Sequence, residues 1–139
     1  MEYVENFKEL EVYKMTRELS GEIFELTKGF PREEMYSLTD QIRRSSRSIG
    51  AQIAEAWAKR KYEKHFISKL TDADAEQQET QHWIETALHC AYLTNEKASE
   101  LLSKCASIGK MLNSMMKKSH LFCVKEEDIA YNRLPKTDY

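Results

Sequence analysis

Glu79-Thr80-Gln81-His82 has a spacing that suits metal chemistry. E-x-x-H places a carboxylate and an imidazole on one helix face, the arrangement that di-iron bundles use. Such a centre needs the motif twice, together with a lone Glu from each of two other helices. His65, His89 and His120 all lack a Glu three residues before them. Glu85 and His89 extend the polar edge by one turn, enough for a surface zinc and no more. The expectation is a set of ordinary surface residues, with no metal and no cofactor. Other chemistry is equally thin. There is no glycine-rich phosphate loop, no G-x-S-x-G and no cysteine with an evident histidine partner. Cys105 falls on an apolar stripe, where a thiol is inert packing. Met111, Met115 and Met116 can form a soft binding surface, but near a bundle end they read as core filler. No enzyme is expected.

Cations offer more. Lys59, Arg60, Lys61 and Lys64 crowd together at the end of a helix, and phosphate binding needs only clustered positive charge. Tyr62 and Trp57 lie close enough in sequence to stack on unpaired bases. These four are the candidate nucleic-acid contacts, set against a plain solvated loop. Arg43, Arg44 and Arg47 come earlier, inside a helix. A helix that reads a groove gathers its bases on one exposed face. Here they are split: Arg43 and Arg47 flank a row of small residues, while Arg44 points nearly opposite the core, with Glu55 on the same polar side. The guanidinium fork suits bidentate carboxylate pairing within or between subunits. Phosphate contact is the alternative.

Four helices must position these side chains. The first, about residues 8 to 28, carries Leu10, Tyr13, Thr16, Leu19, Ile23 and Thr27 at threes and fours. Gly29 can close it in the left-handed conformation, and Pro31 prevents continuation. The second opens at Ser37, with Asp40 placed for a capping box. Its stripe is Leu38, Ile42, Ser45 or Ser46, Ile49, Ile53, Ala56 and Trp57. Nothing in KRKYEK breaks a helix, but the stripe loses phase between Trp57 and Phe66, so a break is placed there. The third runs from about Lys64 to Tyr92 through Phe66, Leu70, Ala73, Gln77, Thr80, Ile84 and Ala87. Thr94 or Asn95 caps the fourth, which carries Ala98, Leu101, Cys105, Ile108, Leu112 and Met115 and ends near His120.

The fold class that follows is all-α, an antiparallel up-down-up-down four-helix bundle spanning residues 1–120. Residues 121–139 are expected to form a tail, disordered or laid on the bundle. Four glycines and two prolines in 139 residues, and a surplus of good helix formers, agree with this. Ser46, Gly50, Ala54 and Ala58 stand four apart in a second row beside the main seam of the second helix. A mid-helix glycine costs about 1 kcal/mol relative to alanine, so a close neighbour is expected to offset Gly50. Another subunit is the favoured neighbour, with a bulky residue of the first helix as the alternative.

A net charge of −2 argues against a surface that is basic throughout. Charge is nevertheless uneven: residues 70 to 96 hold six acids and no Lys or Arg, and residues 97 to 125 hold six lysines and only Glu100. No apolar run approaches the roughly 20 residues of a membrane span. The stretch MEYVENFKEL carries no apolar signal core. Cys90, Cys105 and Cys123 are odd in number and lack C-x-x-C spacing, so a cytoplasmic protein with reduced thiols is expected.

The order FP-x-x-E-x-Y-x-L-x-x-Q-I-R-R-x-x-x-S-I-x-x-x-I-A-E, from Phe30 to Glu55, resembles the bacterial four-helix bundle proteins known as 23S rRNA intervening-sequence proteins. Tyr13 and the L-x-x-x-I-F run from Leu19 to Phe24 are similar too, and the resemblance reaches from about Phe7 to His120. It implies an antiparallel four-helix protomer in a ring, typically a homopentamer, with an unsettled biochemical role. A branch related in fold comprises accessory proteins of diversity-generating retroelements, which partner a reverse transcriptase and bind nucleic acid through a basic ring surface. This chain departs from the family pattern at Ala56 and Ala75, where the family has glycine, and at Glu76, where it has serine. It is also less basic than the retroelement proteins. Two functional readings follow: an oligomeric scaffold whose partner is another protein, or an RNA- or DNA-binding accessory factor using residues 59 to 64 and lysines of the fourth helix.

Overall fold

The computed structural model describes residues 4–123. Four helices appear in chain order: α1 (Glu11–Thr27), α2 (Leu38–Ala58), α3 (Glu63–His89) and α4 (Asn95–Lys117). Single 3-10 turns precede α1 at Phe7–Glu9, join α1 to α2 at Arg32–Glu34 and follow α4 at Ser119–Leu121. No strand occurs among the described residues. Each helix packs on the next, and α1 closes the bundle against α4; α2 and α3 share the most extensive interface, α1 and α4 the slightest.

The apolar period explains the packing. Leu19, Ile23, Ile42, Ile49, Ile53, Phe66, Leu70, Ile84, Leu101, Ile108 and Leu112 are fully buried. Burial of each contributes on the order of 1.5–3 kcal/mol, which is how helices of mixed polar composition hold together. One polar layer crosses the middle, where the Ser45 and Thr80 hydroxyls meet at 2.9 Å.

The helix ends differ from expectation in four places. Ser37 occupies the start of α2 but forms no capping box with Asp40; its hydroxyl donates instead to Glu34 Oε1 at 2.9 Å. The Glu34 carboxylate does the capping from the preceding turn, accepting the Leu38 N–H at 3.4 Å. Gly29 does not take the left-handed conformation; Ala91, after α3, takes it with φ 62°. There the Tyr92 N–H bonds to the Ala87 carbonyl and the Ala91 N–H to the Leu88 carbonyl, both at 2.9 Å, in the two-bond pattern that ends many helices. The third helix therefore stops at His89, short of Tyr92, and α4 stops at Lys117, short of His120. Of the two expected caps for α4, Thr94 serves, its hydroxyl accepting the Lys97 N–H at 3.1 Å. The folded body continues past 120, because Phe122 stacks on Phe66 with ring centroids 5.9 Å apart. Residues 124–139 of the expected tail lie outside the described residues.

Candidate functional site

The α2–α3 connection and the end of α4 share one pole of the bundle. Ser119 donates to Glu63 Oε2 at 2.6 Å, which ties the two together. Lys59, Lys61 and Lys64 from the connection, and Lys117 and Lys118 from α4, therefore gather at this pole. None of the five forms an ion pair among the described residues. Lys59 and Lys64 line a shallow depression of about 290 Å³ with His65, Ser68 and Lys69. Lys69 is already held by Glu55 at 3.4 Å and Asp72 at 3.8 Å. Tyr62, 58 % exposed, stands beside this cluster, with the Lys61 Nζ 5.8 Å from its ring centre. Arg60 does not join the solvent-facing lysines. Its guanidinium lies 3.6 Å over the Trp57 ring and its Nε donates to the Trp57 carbonyl at 2.9 Å. Trp57 is thus covered by the cation beside it.

The arginines of α2 divide by the helix each one faces. Arg44 reaches α3, pairing with Glu79 and, at 3.4 Å, with Glu76. Glu79 also accepts the Trp83 indole N–H at 2.9 Å; this bond first, and Arg44 after it, hold the Glu79 carboxyl below its ordinary range. The E-x-x-H carboxylate is therefore occupied by an arginine and an indole. No cluster of three metal-ligating side chains occurs among the described residues. Arg43 and Arg47 reach α1 instead. Arg43 Nε donates to Thr27 Oγ1 at 2.7 Å, and its guanidinium sits 4.6 Å from the centre of the Phe24 ring. Arg47 and Lys28 approach the same ring at 5.5 and 4.8 Å. Carboxylate pairing thus belongs to Arg44, while Arg43 and Arg47 sit over an aromatic face. Glu55 lies against Lys69 and not beside Arg44.

The small row of α2 faces α1 of the same protomer. A Cβ on Gly50 would stand 3.1 Å from Thr16 Oγ1 and 3.4 Å from the Tyr13 ring. Ser46 and Gly50 are buried there, Ala54 is half-buried and Ala58 is exposed. The side chains of α1 supply the close neighbour that Gly50 calls for. Beside this contact runs a cleft of about 390 Å³, lined by Arg17 and Ser20 of α1 and by Ser46, Arg47 and Ala51 of α2. Sequence reasoning missed it, because it depends on which face α1 turns to α2. The outer face of α2 carries a second hollow, of about 550 Å³, rimmed by Met35, Tyr36, Thr39, Arg43 and Arg44. Tyr36 is 90 % exposed there and Met35 48 %. Cys105 is buried, which pushes its thiol up to about 12.

The family model for 23S rRNA-intervening sequence proteins matches residues 8–114. A solved structure from Bacteroides thetaiotaomicron, described as a protein with unknown function from the S23 ribosomal protein family, is similar in sequence and shape. Identity is 33 %, the TM-score is 0.69, and the match covers 76 % of this chain and 95 % of that one. No curated protein matches. No helix among the described residues is long and apolar enough to cross a membrane. With the matched segment running through all four helices, the chain belongs to the 23S rRNA-intervening sequence protein family.

Proposed function

We propose that the protein is a non-enzymatic, self-assembling scaffold of the cytoplasm, built as a ring of protomers that the family expectation sets at five. The observation that supports this most is the exposure of Tyr36 and Met35 at the start of α2, next to Arg43 and Arg44 on one hollow face. Tyrosine, methionine and arginine are the residue types that interface cores favour. The unpaired state of Cys90, Cys105 and Cys123 supports a reducing compartment. The test is mass in solution by light scattering. The wild type is expected to run as a multiple of the protomer. A Met35→Glu/Tyr36→Glu double variant is expected to run as the protomer with its helical circular dichroism intact. A wild type that is monomeric at all concentrations refutes the scaffold.

The lysine pole favours a second reading, RNA or DNA binding as an accessory factor. Five cations that form no ion pair among the described residues, beside an exposed tyrosine, offer phosphate contacts and one stacking surface. Repetition around a ring would multiply the charge. Fluorescence anisotropy with a structured RNA across a salt titration tests this. Changing Lys59, Lys61 and Lys64 to alanine is expected to flatten the log–log slope by roughly 0.7–0.9 for each phosphate that is no longer neutralised. Arg60 is left in place, since its side chain covers Trp57. Absence of binding at low salt eliminates this reading.

A further inference from the structure

The α1–α2 cleft is lined by two arginines, one from each helix. Arg17 of α1 and Arg47 of α2 line it together, and neither forms an ion pair with a carboxylate among the described residues. Among the described residues Arg17 is steadied by a 3.2 Å hydrogen bond to the Tyr13 hydroxyl. Every acid of α1 is engaged elsewhere: Glu11 by Lys14, Glu25 by Lys28, and Glu18 and Glu22 by lysines of α4. The lining contains no acidic residue at all. Arg44 is taken up by two carboxylates and Arg60 by Trp57, whereas Arg47 has only the Phe24 ring, at 5.5 Å, beside it among the described residues. Unneutralised guanidiniums on two walls of one cleft are a site for a doubly charged oxyanion, which their donor forks match geometrically.

The cleft also has room for an organic body. Its lower end is closed by Phe7 and Tyr13, whose rings meet edge to face at 4.9 Å. Its floor is shallow-sided because position 50 is glycine; any Cβ there would press on Thr16. A volume of about 390 Å³ falls in the range of small-ligand pockets, roughly 300–1,000 Å³. We propose that this cleft binds a phosphate monoester of mononucleotide size, its phosphate between Arg17 and Arg47 and its flat base against the Phe7–Tyr13 end. This site is separate from the lysine pole, and it shares Arg47 and Ala51 with the hollow beside the exposed tyrosine of α2.

Isothermal titration of the full chain with adenosine monophosphate, ribose 5-phosphate and adenosine tests the proposal. Adenosine monophosphate is expected to bind saturably, and each fragment at least about tenfold more weakly, the equivalent of ~1.4 kcal/mol. An Arg17→Met/Arg47→Met variant keeps the aliphatic stems and is expected to lose binding by at least the same factor. A Lys59→Ala/Lys61→Ala/Lys64→Ala variant is expected to retain it, which separates this site from any RNA surface. Amide shifts in labelled wild-type protein give a readout that needs no variant, and they are expected at Ser20, Ser46 and Ala51. No binding by the wild type overturns the proposal. So does unchanged affinity in the folded double-methionine variant, or shifts confined to the 59–64 connection.

Discussion

Ala91 sits in the left-handed region at φ 62°, where its methyl group crowds the neighbouring carbonyl. It is held there by the two hydrogen bonds that end α3. Replacing it with glycine removes the clash at the expense of some unfolded-chain entropy. Ala91→Gly is expected to stabilise the fold by about 1 kcal/mol and to raise Tm by ~3–5 °C in thermal circular dichroism. No change would mean that the turn relaxes around the alanine. Sequence reasoning assigned the left-handed residue to Gly29, since glycine has the lower cost there, and had no means of seeing that α3 would end two residues before an alanine. The cysteines give a second residue-scale outcome. Burial holds the Cys105 thiol near 12, so almost no thiolate forms at neutral pH, whereas Cys90 is exposed. A colorimetric thiol titration of the native protein is expected to label Cys90 and to leave Cys105 unreacted until denaturant is added. Rapid labelling of Cys105 would place it outside the core.

At the scale of elements, Glu34 joins two loops at the pole opposite the lysines. Its carboxylate accepts from the Ser37 hydroxyl and the Leu38 N–H, and from the Tyr92 hydroxyl at 2.9 Å across the bundle. The Ser37 bond first, then the Tyr92 bond, lower the Glu34 pKa; Glu34 in turn raises the Tyr92 phenol to about 12. A depressed carboxyl contributes stability that is present above its ordinary range, about 4.3, and is lost as pH falls through the folded value. A raised phenol contributes stability that is complete below its ordinary value, about 10, and is lost as pH rises through the folded one. Glu34→Gln and Tyr92→Phe are therefore each expected to lower Tm at pH 7, with the two losses less than additive. The deficit of Glu34→Gln is expected to shrink in acid and to vanish once pH has fallen through the depressed Glu34 value. A deficit independent of pH would assign the effect to shape and not to charge. Gly50→Leu belongs to the same scale. Because Thr16 and Tyr13 occupy the space a side chain needs, it is expected to force α1 from α2 and cost about 1–3 kcal/mol in urea unfolding. A change of mass in solution with stability unchanged would instead make the small row a subunit contact. The stripes Ile42–Ile49–Ile53 and Leu101–Ile108–Leu112 were legible because burial on a helix has a fixed period. The capping role of Glu34 was not, because Ser37–Asp40 has the better local pattern and the deciding partner, Tyr92, is far away in sequence. The partners of Arg44 and the α1–α2 cleft were hidden for the same reason: both depend on which helix lies alongside.

Across the whole molecule, the interfaces are unequal, and this sets an order of opening. The α2–α3 pair carries the longest contact and the buried Ser45–Thr80 layer, while α1 meets α4 along the slightest one. Much of the α1–α4 seam is ionic, with Lys97 and Lys104 reaching Glu18 and Glu22 at 2.6 to 3.3 Å on half-exposed side chains. Such pairs contribute about 0–1 kcal/mol apiece in water, far less than the apolar seams elsewhere. The Lys104 hydrogen bond first of all lowers the Glu22 pKa, so this seam weakens further as pH falls through that depressed value. Helix α1 is thus the helix least extensively packed against the other three. Native-state hydrogen exchange is expected to show Leu19 and Ile23 amides exchanging through an opening of lower free energy than Ile49, Ile53, Leu70 and Ile84. The gap is expected to widen in acid. Equal free energies for all six amides would show that the bundle opens as one unit. Helix α1 would then be held as firmly as the α2–α3 pair, by packing with Tyr13 and Thr16 on Gly50 and not by the ionic seam.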